Sequence, residues 1–145
     1  MYRAHTVSVG IAVDPGIVHA YAADPANLPT WAPGFVKSIE KQGARWIAQT
    51  SLGEVAFRFA ADNKLGILDH DVTLPTGTIH NPMRVIPNGK GSEVMFTLLQ
   101  LPGVSDEQFQ QDMDTVRADL NKLRTVLEHQ HGTEADNCHM RPRNA

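Results

Sequence analysis

The chain has 145 residues, of which 41% are hydrophobic and 20% charged, and its formal net charge is −3. That suffices for one domain with its own core, and a slightly acidic surface does not suit a phosphate backbone, so no nucleic-acid partner is expected. No apolar run approaches the roughly 20 residues of a membrane-spanning helix. A lone cysteine, Cys138, with an N-terminus that shows no signal-like segment, points to a reducing, cytoplasmic setting.

In HTVSVGIAV, Val7, Val9, Ile11 and Val13 share one face and predict a half-buried strand over 5–13. Asp14–Pro15 and Asp24–Pro25 each read as an N-cap followed by proline at the first helical position. They predict two short helices, the second ending near Pro29 or Trp31. From 35 to 100 the chain is strand-like, with breaks at Gly43, Gly53, Asp62–Asn63, Thr76–Gly77 and Asn88–Gly89. The breaks predict strands over 35–42, 44–50, 54–61, 65–74, 78–87 and 91–100, joined by turns short enough to force an antiparallel meander. Ser105 and Gln108 then form a capping-box pattern. Phe109, Met113, Val116, Leu120, Leu123 and Leu127 recur at steps of four and three, an apolar stripe along a helix with Asp, Arg, Asn and Lys opposite. Beyond Gly132 the polar, aperiodic TEADNCHMRPRNA predicts a disordered tail, leaving a single domain over 1–131 and the tail over 132–145.

Residues paired across a two-residue turn share a face of the sheet. Turns at Asn63–Lys64, Thr76–Gly77 and Asn88–Gly89 place Arg58, Asp69, Arg84 and Glu93 in one row. The neighbouring row is Phe57, His70, Met83 and Val94. An alternating charged row beside an apolar one marks a sheet with one wet and one dry face. His70 is therefore expected inside, with Asp69 and Asp71 outside. Pro82 cannot donate to a ladder and predicts a bulge, which can turn Asn81 to the other face.

This order of elements carries a resemblance. VSVGIAVDPGIVHAYAADPANLPTW, MRVIPNGKGSEVMFTL and SDEQFQQDMDTVRADLNKLRTVLE resemble the START-like or SRPBCC superfamily, also called helix-grip, over residues 5 to about 129. The resemblance implies an α+β fold in which a seven-stranded antiparallel curved sheet wraps around a long C-terminal helix, with two short helices between strands 1 and 2. It also implies a cavity between sheet and helix for a hydrophobic small molecule such as a lipid or polyketide. With the facing argued above, the sheet would line that cavity with Phe57, Phe59, Leu68, His70, Val72, Met83, Val94, Phe96 and, absent a bulge, Asn81. The helix would add Met113, Val116 and Leu120, and Trp31 would stand near the mouth.

His70 is the candidate for chemistry. It can orient a ligand carbonyl or serve as general acid/base in a cyclisation or dehydration; the simpler alternative is a core histidine bonded to Asn81 or to backbone. The fold hosts unrelated activities and no catalytic set carries over. Binding, with transport as a further step, is thus the leading expectation, and a polyketide cyclase/dehydrase-type enzyme using His70 the alternative. The charged row is expected to be a solvated face, with His5, His19 and His80 on the surface and Trp46 in the core. His129, His131, Cys138 and His139 match no zinc spacing, so no metal is expected. No cofactor is expected either, there being no phosphate cradle and no nucleophile elbow. The outer face offers no apolar patch for a protein-docking module, and no residue pattern speaks to oligomeric state.

Overall fold

The computed structural model describes the backbone of residues 1–144, with side chains through His131. Strand β1 (Ala4–Ile11) alternates as its sequence dictates, with Val7, Val9 and Ile11 buried and Thr6, Ser8 and Gly10 exposed. Both Asp-Pro signals act as caps. Asp14 Oδ2 accepts the Gly16 N–H at 2.9 Å and opens α1 (Pro15–Ala22). Asp24 Oδ1 accepts the Ala26 N–H at 3.0 Å and opens a 3-10 turn, Pro25–Asn27, that leads into α2 (Leu28–Trp31).

Seven further strands follow: β2 (Val36–Gln42), β3 (Arg45–Thr50), β4 (Gly53–Phe59), β5 (His70–Leu74), β6 (Gly77–Asn81), β7 (Met83–Asn88) and β8 (Gly91–Leu99). The α+β, antiparallel architecture is the expected one, but the described residues form eight strands in two sheets, ordered β2-β3-β4-β5-β6 and β1-β8-β7. The strand expected over 78–87 is cut at Pro82, and the one expected over 65–74 begins only at His70. Proline has no N–H for a ladder. In its neighbourhood the Asp69 side chain takes over, accepting the Met83 N–H at 2.8 Å and pairing with the Arg84 guanidinium. Residues 66–68 then run along β7, with Leu68 N–H on Met83 O and Val85 N–H on Gly66 O, both at 2.9 Å. One hairpin thereby reaches from the first sheet into the second.

The registers differ from expectation in a regular way. His70 lies opposite Asn81 rather than Met83, Met83 opposite Phe96 rather than Val94, and Phe57 opposite Val72 rather than His70. Each pairing has slid by two residues, which changes the partner but not the face. Phe57, His70, Met83 and Val94 are accordingly all buried. In the charged row Arg58 now faces Asp71 and Arg84 faces Met95.

Helix α3 (Asp106–Asn144) begins at Ser105, whose Oγ accepts the Gln108 N–H at 3.1 Å. The Gln108 amide turns forward to Asp112 instead of back, so half of the capping box forms. Phe109, Met113, Leu120, Leu123 and Leu127 are buried as the stripe requires. The helix packs chiefly against β1, and Glu128 Oε2 ties it to the end of that strand by accepting the Ala12 N–H at 2.8 Å. The tail expected beyond Gly132 lies outside the residues whose side chains are described. Among the described residues no helix is long and apolar enough to cross a membrane.

Gly66 has φ +77°, and a Cβ built there would overlap the Val85 carbonyl oxygen; at Gly89 φ is +59° but nothing lies within 4 Å of such a carbon. Gly66→Ala is expected to cost more than about 2 kcal/mol in urea unfolding, against roughly 1 kcal/mol for Gly89→Ala. Equal losses at the two sites would contradict the close approach to β7.

Candidate functional site

The curl of the two sheets beneath the first half of α3 leaves a cavity of about 370 Å³. Its walls are Phe57 of β4, His70 and Val72 of β5, Thr78 to Asn81 of β6, and Phe96, Leu98 and Leu99 of β8. Asp112, Thr115, Val116, Asp119 and Leu120 of α3 form the roof. Leu28 and Trp31 of α2, with Ala32 and Phe35 after it and Val36 at the start of β2, close one side, and Leu52, Leu101 and Val104 complete the lining. Leu52 and Leu99 are 58% and 41% exposed, which places them where the cavity meets solvent.

Of the residues expected in this wall, Trp31, Phe57, His70, Val72, Asn81, Phe96, Val116 and Leu120 line the cavity. Asn81 keeps the inner face because the chain breaks at Pro82 without turning it over. Leu68, Met83 and Val94 point inward and are buried, but they do not border the cavity. Helix α1 packs on β7 and β8, and its Val18 and Ala22 are fully buried, so this end of the interior is filled. Phe59 does not border the cavity either; it packs against the His70 ring. Met113 is likewise buried outside it, near Phe109, which lies under the Arg3 guanidinium at 5.2 Å.

His70 is 6% exposed and sits among three rings, with centroids 6.0 Å from Phe57, 5.0 Å from Phe59 and 5.6 Å from Phe96. Its Nδ1 lies 3.1 Å from Leu68 O. A carbonyl only accepts, so Nδ1 carries the proton of the neutral ring and Nε2 keeps its lone pair. The backbone bond weighed from sequence is therefore present, and Asn81, though opposite, is not the hydrogen-bond partner. Burial lowers the His70 pKa, outweighing the Leu68 bond and the nearby Asp69 and Asp71, and keeps the ring neutral near pH 7.

Five polar residues of the lining, Thr78, His80, Asp112, Thr115 and Asp119, were not among those expected there. Asp119, on α3, is 8% exposed; its Oδ1 accepts the Gly34 N–H at 3.1 Å, and its Oδ2 has no hydrogen-bond partner among the described residues. Desolvation pushes its carboxyl up to about 6, against the opposing effect of the Gly34 bond. A Cβ on Gly34 would come within 2.9 Å of the Asp119 and Thr115 side chains, so any larger residue there must displace them. Trp31 was expected at the mouth, but its Nε1–H is buried with no acceptor among the described residues. Asp119 does carry a faint signal: it follows Val116 by three residues and precedes Leu123 by four, so it lies on the edge of the apolar stripe.

The remaining histidines divide. His80 is exposed at the cavity rim, its Nδ1 2.6 Å from Asp71 Oδ1. His19, expected on the surface, is half-buried because its Nε2 reaches Ile67 O at 3.1 Å. Cys138 and His139 lie outside the residues with described side chains. Among the described residues no group of three or more His, Cys, Asp or Glu side chains could hold a metal ion.

No protein-family model matches the chain, and no curated protein matches it in sequence. Solved structures do. A START superfamily protein from Mycobacterium smegmatis superposes with a TM-score of 0.66 at 12% identity, covering 88% of this chain and 98% of its own. The Aha1 dimer structure from Colwellia psychrerythraea gives 0.69 at 14% identity, with 87% and 96% covered. Ara h 8.0201 gives 0.61 at 14% identity, with 87% and 97% covered. At such identities the likeness is one of fold, and the fold is the START-like, helix-grip one that the sequence resembled.

The perturbed groups predict opposite pH dependences. Asp119 ionises less readily folded than unfolded, so its contribution favours the fold below its ordinary value of 3.8 and is lost as pH rises through about 6. Asp119→Asn is expected to be more stable than the parent at pH 7.5 by on the order of 1 kcal/mol, after discounting for solvent in the cavity. The gap should close below pH 4 in urea titrations; a variant less stable at pH 7.5 contradicts the assignment. His70 works the other way, contributing fully above its ordinary 6.5 and losing stability as pH falls from there toward its lower folded value. Ring nitrogen shifts at pH 6 should show the neutral Nδ1–H form, and a midpoint at 6.5 would contradict a buried ring.

Proposed function

We propose that this START-like, helix-grip protein binds a mainly apolar small molecule, of lipid or polyketide kind, between α3 and the two sheets. The observation that carries the reading is the cavity itself: about 370 Å³, walled mostly by aromatic and aliphatic side chains with a few polar groups among them. An apolar ligand that covers these aromatic and aliphatic walls removes their apolar surface from water, which is the main source of affinity in a site of this kind. Exposed Leu52 and Leu99 at the opening give such a ligand an apolar way in. A single cysteine suits a reducing compartment as the place where this happens.

The enzymatic alternative has one observation in its favour, two titratable groups with perturbed pKa values in one cavity, His70 and Asp119. Against it, no hydrogen bond joins the two, and a histidine whose pKa is lowered by burial is a weak base. Binding accounts for the same residues with fewer requirements.

N-phenyl-1-naphthylamine, an uncharged dye that brightens in apolar surroundings, is the probe. Titration into the protein should give saturable fluorescence, and Val116→Trp, which fills the roof, should weaken it at least about tenfold with the fold retained by circular dichroism. A parent protein that leaves the dye dark would overturn the proposal.

A further inference from the structure

The proposed cavity has a polar corner, and its chemistry narrows the ligand; the inference rests on the binding reading above. Trp31 ends α2, and three residues later Gly34 donates its N–H to Asp119 Oδ1 at 3.1 Å, so both side chains are held by the same short segment where α2 packs on α3. Trp31 is 3% exposed and its Nε1–H has no acceptor among the described residues. Asp119 is 8% exposed, and its Oδ2 has no donor among the described residues. Buried polar atoms are ordinarily paired, so the orphan indole N–H, in the wall of the same cavity as a carboxyl oxygen that no described donor holds, calls for a partner that enters it. The lining contains two carboxyl groups, Asp112 and Asp119, and no lysine or arginine.

We propose that Trp31 and Asp119 form an anchor for an uncharged, hydroxyl-bearing ligand, an alcohol or phenol on an apolar frame, and that the cavity rejects carboxylates and phosphates. A hydroxyl both accepts and donates, so one group satisfies the indole N–H and the carboxyl oxygen together. A carbonyl satisfies only Trp31. A carboxylate brings a second negative charge to Asp119 with no cation to balance it, in surroundings that strengthen the repulsion. An ammonium pairs with Asp119 but has no lone pair for the indole. On the sheet side His70, neutral by its burial among three rings, borders the cavity without adding a charge.

The test is competition against N-phenyl-1-naphthylamine at pH 7.5 with 1-decanol, decanoate and decylammonium, which share a chain and differ in head group. Decanol is expected to bind at least about tenfold tighter than decanoate, and tighter than decylammonium. Decanoate equal to or tighter than decanol, or decylammonium the tightest, overturns the anchor and leaves the cavity reading standing. A dye that binds but yields to none of the three does the same, whereas a dye that does not bind overturns the cavity reading itself. Asp119→Asn should shrink the decanol-to-decanoate preference about tenfold, and an unchanged ratio removes Asp119 from the anchor. Trp31→Phe keeps an aromatic ring without the N–H and should weaken decanol severalfold while the dye still binds; undiminished decanol affinity removes the indole.

Discussion

A proline in the middle of an antiparallel meander is the constraint around which this fold is arranged. Pro82 offers β8 an acceptor, taken by the Thr97 N–H at 3.0 Å, but it has no donor to offer any neighbour. The chain leaves one sheet at Asn81 and enters the other at Met83. What keeps the junction ordered is a carboxylate: Asp69 accepts the Met83 N–H at 2.8 Å and holds Arg84 beside it. As a partly exposed ion pair this contact adds little stability, yet as a hydrogen bond at a fixed place it sets where the sheets meet. Strands β6 and β8 can then both face α3 from different sheets, and the cavity is the space they enclose.

The roof is held at several points. Leu120, Leu123 and Leu127 are fully buried, Glu128 binds the Ala12 N–H, and Asp119 binds the Gly34 N–H. Between the latter two attachments Leu123 and Leu127 are core; from Leu120 back to Asp112 the helix borders the cavity. A buried carboxyl with a raised pKa is a poor choice for stability and a useful one for recognition, the usual direction of that exchange at binding sites. The same holds for an indole N–H left without an acceptor.

Much of the wall was legible from local patterns. The Asp14 and Asp24 caps, the alternation of β1 and the α3 stripe behaved as their chemistry required. The inward facing of Phe57, His70, Met83 and Val94 survived although each register was displaced, because a slide of two residues leaves a strand's faces unchanged. What failed was partnership. The β5–β6 turn centres on Pro75–Thr76 and the β7–β8 turn on Gly89–Lys90, one residue away from the dipeptides that sequence singled out. Inward residues such as Met83 and Val94 became core rather than cavity wall where α1 packs on β7 and β8, an element distant from them in the chain.

The sequence by itself determined which residues turn toward the interior, where helices begin, and that a long helix must cover a curved antiparallel layer. These follow from periods of 2 and 3.6 residues and from capping chemistry, all local. Tertiary structure alone decided the split into two sheets, the cavity under α3, and the pairing of Gly34 with Asp119 across the interior. A carboxylate at the edge of a stripe reads as solvated until a distant segment covers it, and desolvation belongs to the assembled fold rather than to any stretch of chain.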